Sequence, residues 1–160
     1  MCGIEHMTAK LHALAQKKLE LLQEFRSLSV KQRERLEGED LADWEGLLEQ
    51  KEALIRRIDG LDMQAGQAEA EMLEFLGTGT LEDPLLLAKP LWQETLGLRR
   101  AIRETLAETR RIDDAVTNKV LLLREDLAQK MQQLQREKKG VQAYGQQTPQ
   151  AEGFFLDRKE

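Results

Sequence analysis

The first residue placed to do chemistry is Cys2. Its thiolate, with a base beside it, could attack an acyl carbon. That reaction also needs donors for the oxyanion. His6 and His12 are six apart, whereas two imidazoles holding one ion from a helix are three or four apart, so they read as surface or capping histidines. Carboxylates cluster at Glu69, Glu71 and Glu74 and at Asp113-Asp114, but no two form a recognisable general acid and base. Gly77-Thr-Gly79 lacks the rest of either phosphate-binding loop. The basic pairs Lys17-Lys18, Arg56-Arg57, Arg99-Arg100 and Arg110-Arg111 have acids within a turn (Glu20, Glu52, Glu104, Glu108), the pattern of a salt-bridged exposed face. Lys138-Lys139 beside Arg136 is the most basic spot, with Glu137 inside it. None of these patterns implies a cofactor or a metal, and the chain reads as non-enzymatic.

The elements that would position such residues are helices. Leu91, Thr95, Leu98, Ile102, Leu106, Thr109, Ile112, Val116, Val120, Leu123, Leu127, Met131 and Leu134 follow one another at steps of three and four. Side chains so spaced share one helix face. The run Leu91–Val141 contains no proline, and a helix of that length cannot cover its own apolar stripe. Thr95 and Thr109 dilute the stripe, which reads equally as a loose core or as a face with room for a guest helix. Three prolines, four Phe and one Tyr are too few for a typical sheet protein. The net charge of −5 disfavours a broad nucleic-acid or anionic-membrane surface. No apolar run approaches the roughly 20 residues of a membrane span. The N-terminus lacks a secretory layout. One cysteine allows no intrachain disulfide, which suits a reducing cytoplasmic setting.

The first helix is expected from about Glu5 to Leu36, striped by Met7, Leu11, Leu14, Leu21, Leu22, Phe25 and Leu28, with Lys18 snorkelling. Gly38 is expected to end it in a left-handed conformation, and Asp40 to cap the next helix. That helix carries Leu41, Trp44, Leu47, Leu48, Leu54, Ile55, Ile58, Leu61, Ala65, Ala68, Met72, Phe75 and Leu76, and Lys51 falls on its stripe, which requires a partner or a snorkelling path. Gly60 and Gly66 mark soft or close-packing points. Gly77 and Gly79 stop the helix, and Pro84 suits the first turn of a short piece. The fold class is therefore all-α: an antiparallel bundle of three long helices plus a short helical segment, with an irregular C-terminal tail. The bundle domain is expected over 1–143 and a flexible or partner-binding tail over 144–160, since Tyr144–Gly153 is rich in Gly and Gln with one Pro.

Met1-Cys2-Gly3-Ile4 resembles the opening of glutamine amidotransferases, whose fold is a layered sheet sandwich. Nothing here supplies strands, so an amidotransferase-like enzyme is a remote alternative. A broader resemblance begins at Asn118-Lys-Val-Leu-Leu-Leu123 and continues through Tyr144-Gly145, a short polar loop, and Gly153-Phe-Phe-Leu-Asp157-Arg-Lys159. These residues are similar to the FlgN family of flagellar export chaperones, which often closes with a Tyr-Gly pair, a glycine-containing linker and an apolar-Asp-basic ending. Gly38-Glu-Asp40-Leu-Ala-Asp-Trp44 and Gln50-Lys51-Glu52 resemble that family's Gly-Asp turn and Lys-Glu pair. The likeness spans nearly the whole chain in layout and is specific only in the last third. Phe154-Phe155 is bulkier than the family pattern, and the Cys-Gly start has no counterpart in it.

The resemblance implies a cytoplasmic chaperone that binds hook-associated (hook–filament junction) subunits, prevents early assembly and aids delivery to the type III export gate. It places partner binding on Val120, Leu123, Leu127, Met131, Leu134, Tyr144, Phe154, Phe155 and Leu156. Each of the helix positions also reads as ordinary intrachain core. The alternatives left open are a chaperone for another flagellar subunit and a generic coiled-coil scaffold. Homodimerisation is likewise open.

Overall fold

The computed structural model describes the backbone of residues 2–156 and the side chains of residues 3–145. Four helices follow in order: α1 (Cys2–Glu37), α2 (Trp44–Leu76), α3 (Pro84–Leu87) and α4 (Pro90–Leu156). There is no strand among the described residues. The all-α class and the count of three long helices plus one short piece are as the periodicity predicts. The chain falls into two units, Met1–Thr117 and Asn118–Glu160.

Three apolar clusters hold the first unit. Leu11 of α1, Ala68 and Met72 of α2, Leu86 of α3 and Trp92 of α4 form one. Leu21, Leu28, Leu47 and Leu54 join α1 and α2. Leu36, Ile112 and Val116 form the third, with Val30 and Trp44 against them. The start of α1 thus meets the end of α2 and the start of α4, while the end of α1 meets Ile112 and Val116. The helices run up, down and up, as short connections require. The backbones of α1 and α2 approach within 8 Å along their lengths. Residues 90–117 of α4 pack on them through side chains, and clefts of about 290 and 300 Å³ are lined by all three helices.

The turns correct two expectations. Gly38 does not adopt the left-handed conformation; Glu39 does, at φ 54°. The Gly38 and Asp40 amides still donate to Glu34 and Arg35 carbonyls, so closing the helix end does not need positive φ at the glycine. Asp40 does not cap α2, which begins after Asp43. Instead its Oδ1 accepts from the Ala42 amide and its Oδ2 from Arg35, so it braces the turn. Gly77 does cap α2 in the left-handed region, at φ 63°. Asp83 caps α3 by accepting from the Leu85 amide, with Pro84 in the first turn.

Neither Gly140 nor Gly145 ends α4, whose helical backbone takes in residues 145–156, where the sequence suggests an irregular tail. Side chains from residue 146 onward, Phe154, Phe155 and Leu156 included, lie outside the described residues.

Candidate partner-binding surface

The polar residues on the stripes show how the first unit is closed. Thr95 and Thr109 are buried, and their hydroxyls donate to the carbonyls of Leu91 and Thr105 one turn back, at 2.8 and 2.7 Å. His12 Nδ1 lies 3.3 Å from Thr95 Oγ1. A threonine that bonds its own helix leaves no buried polar group unsatisfied, so these positions are core. Between the two readings of the diluted stripe, the loose core holds there.

Lys51 is the deepest charge in this unit, only 8% exposed. Its Nζ donates to Gln32 Oε1 and to Asp113 Oδ1, each at 2.7 Å, and lies 4.7 Å from the Phe25 ring centre. One ammonium thus ties α1, α2 and α4, and of the two readings of its place on the stripe, a partner or a snorkelling path, it is the paired one. Lys18 likewise pairs across helices, with Asp62. Arg99 pairs with Glu69 and lies over the Trp92 ring. Of the basic pairs, Arg56–Glu52 is the within-helix bridge expected from spacing; Lys18 and Arg99 reach acids on another helix rather than Glu20 and Glu104.

Trp92, fully buried, is what sequence reasoning missed. At the start of α4 the fully buried position is Trp92 rather than Leu91, and further along Leu106 is 43% exposed at a cleft lip. The usable signal was that Trp92 stands three before Thr95 and ten before Ile102, also on one face.

The chemistry-bearing residues do not assemble into a reaction centre among the described residues. His6 is exposed, and His12 faces Thr95. No group of three His, Cys, Asp or Glu there could hold a metal ion. Glu71, Glu74 and Asp114 are exposed, while Asp113 is committed to Lys51. The Cys2 side chain lies outside the described residues.

The second unit is of another kind. Every described side chain from Thr117 to Gly145 is exposed. Val120, Leu123, Leu127, Met131 and Leu134, the stripe that the resemblance singles out, range from 38% to 63% exposed. Leu121, Leu122 and Val141 add to the uncovered apolar surface. Ordinary intrachain core is therefore not what these positions do in the isolated chain. Tyr144 is 80% exposed. Steps of three and four keep the stripe on one face, which makes this exposed apolar face the candidate surface. Among the described residues no ion pair involves residues 118–141, in contrast to the first unit. No helix of the described residues is long and apolar enough to cross a membrane.

Compared with family models, curated proteins and solved structures, the chain matches none.

Proposed function

We propose that this chain is a FlgN-like flagellar export chaperone, acting without catalysis in the cytoplasm on the terminal helices of hook-associated subunits. The observation that carries the reading is the uncovered stripe of residues 118–145 on a chain whose other unit has a closed core. An amphipathic helix from a partner would lay its apolar face there, with anchors at matching steps of three and four. Val120, Leu123, Leu127, Met131, Leu134 and Val141 are 38–72% exposed, so covering them would gain only part of the roughly 1.5–3 kcal/mol of a fully exposed side chain, about 1–2 kcal/mol each. Association costs roughly 4–15 kcal/mol. The balance suits a subunit that is held and then released to the export gate. The likeness of Tyr144-Gly145 and of the ending through Lys159 to the FlgN pattern selects this class of partner.

The test is direct binding of the purified chain to a hook-associated subunit and to the same subunit lacking its terminal helices. The reading expects binding only to the intact subunit, weakened by Leu127→Asp with Leu134→Asp. Absence of binding to any flagellar subunit by a folded chain would refute it. A second reading, a coiled-coil scaffold, is favoured by one observation: Val120, Leu127, Leu134 and Val141 are spaced by seven. It predicts a stable extended dimer without any flagellar partner.

A further inference from the structure

The charge of the chain is divided unevenly. Residues 1–117 carry sixteen Lys and Arg against twenty-three Asp and Glu, a balance of −7. Residues 118–145 carry six bases (Lys119, Arg124, Lys130, Arg136, Lys138, Lys139) against three acids (Glu125, Asp126, Glu137), a balance of +3. The uncovered apolar stripe thus lies on a basic segment of an acidic protein.

The bases are also placed on the stripe. Lys130 follows Leu127 by three, and Lys138 follows Leu134 by four, so both share its face. Arg124 follows Val120 by four, at the edge. Asp126, four before Lys130, and Glu137, seven after it, stand on the same edge as Lys130, across the stripe from Arg124, and only partly offset the three bases. All five are exposed, and no ion pair involves any of them among the described residues.

From this we infer that the occupant of residues 118–145 is an acidic amphipathic helix, one whose apolar face carries Asp or Glu where it meets Lys130 and Lys138. The inference rests on the proposal that this stripe binds a partner's helix, and it names the chemistry of that helix. Two alternatives fit worse. A second copy of the stripe brings the same +3 balance against it. The clefts of a second copy's first unit offer few free carboxylates, because three of their four acids are already paired: Asp62 with Lys18, Glu69 with Arg99 and Asp113 with Lys51. An anionic bilayer would attract the segment but repel the −7 unit.

The test uses the full chain and two labelled synthetic peptides with one apolar helical face. One peptide is flanked by Glu, the other by Lys. Fluorescence anisotropy at low and high salt reads the affinities. The Glu-flanked peptide is expected to bind about tenfold tighter at low salt, with the preference shrinking as salt rises. Lys130→Glu with Lys138→Glu, both at exposed positions, should reverse the preference while leaving thermal unfolding unchanged. Equal binding of the two peptides, or a preference that the double variant leaves intact, would overturn the inference. So would dimerisation of the chain that the Glu-flanked peptide does not compete, or tighter binding to phosphatidylserine vesicles than to that peptide. Flagellar subunits bound at the stripe without charge preference would sink this inference and leave the proposed function standing. Preference for the acidic peptide without binding of any flagellar subunit would do the reverse.

Discussion

Residues 90–117 and 118–145 lie in the same helix and use the same residue types, but they bury very different amounts. In the first stretch Trp92, Thr95, Ile102, Thr109, Ile112 and Val116 are all buried. In the second, nothing described is buried, although Val120, Leu123, Leu127 and Leu134 continue the same steps. Helical periodicity says which side chains share a face; it does not say whether another element of the chain is there to cover that face. The chain supplies α1 and α2 to the first stretch. Leu36, near the end of α1, and Trp44, at the start of α2, are in the cluster of Ile112 and Val116, the last buried positions of α4. No described residue after Val116 is buried.

Substitution should separate the two stretches. Ile112→Asp with Val116→Asp places charges among Leu36, Val30 and Trp44 and is expected to cost several kcal/mol, enough to unfold the first unit; circular dichroism would read the loss. Leu127→Asp with Leu134→Asp, the same chemistry two turns or more further on, should change stability by no more than about 0.5 kcal/mol. A large loss from the second pair would mean that the stripe is covered within the chain.

A smaller effect is expected at Lys51. Lys51→Met removes the donor shared by Gln32 and Asp113 and leaves the Asp113 carboxylate partly buried. Because Asp113 is about one-third exposed, the cost should be roughly 1–3 kcal/mol rather than that of a fully buried charge. Chemical denaturation would measure it, and Asp113→Asn should cost less.

Gly60 and Gly66 sharpen the contrast from the opposite side. A Cβ at either meets nothing within 4 Å, so the close-packing reading of these glycines fails. Gly60→Ala and Gly66→Ala should each stabilise α2 by up to about 1 kcal/mol, visible as a higher unfolding temperature. No gain would point to a need for flexibility there.

The smallest effect concerns acid. The backbone amide of Ala42, and then Arg35, hold the Asp40 carboxyl below its ordinary range. A carboxylate with a depressed folded value contributes stability that is present above the ordinary range, near pH 4, and is lost as pH falls through the folded value. Asp40→Asn should therefore lower the unfolding temperature slightly at neutral pH and flatten its decline below about pH 4.

Much of this was legible in residue order. Spacing located three long helices, Pro84 marked the short one, and Lys51 on an apolar stripe called for a partner or a snorkelling path. The partner itself was not legible, because Gln32 and Asp113 come from two other helices and only folding brings them to one ammonium. Glu39 taking the left-handed turn beside a glycine was equally hidden, since local preference favours Gly38. For the candidate surface, the sequence supplied the stripe and the resemblance supplied its use. Its exposure is something no local pattern records, because the same spacing occurs on the buried stretch before Thr117.

The most direct measurement is amide hydrogen exchange on the full chain, alone and with a hook-associated subunit bound. Free, residues 95–116 should exchange slowly and 118–145 quickly, because an unpacked helix opens readily. With the subunit, protection should rise over 118–145 and stay unchanged over 95–116. Strong protection of 118–145 in the free monomer, or a protected footprint confined to residues 1–117, would contradict a partner site on the second half of α4.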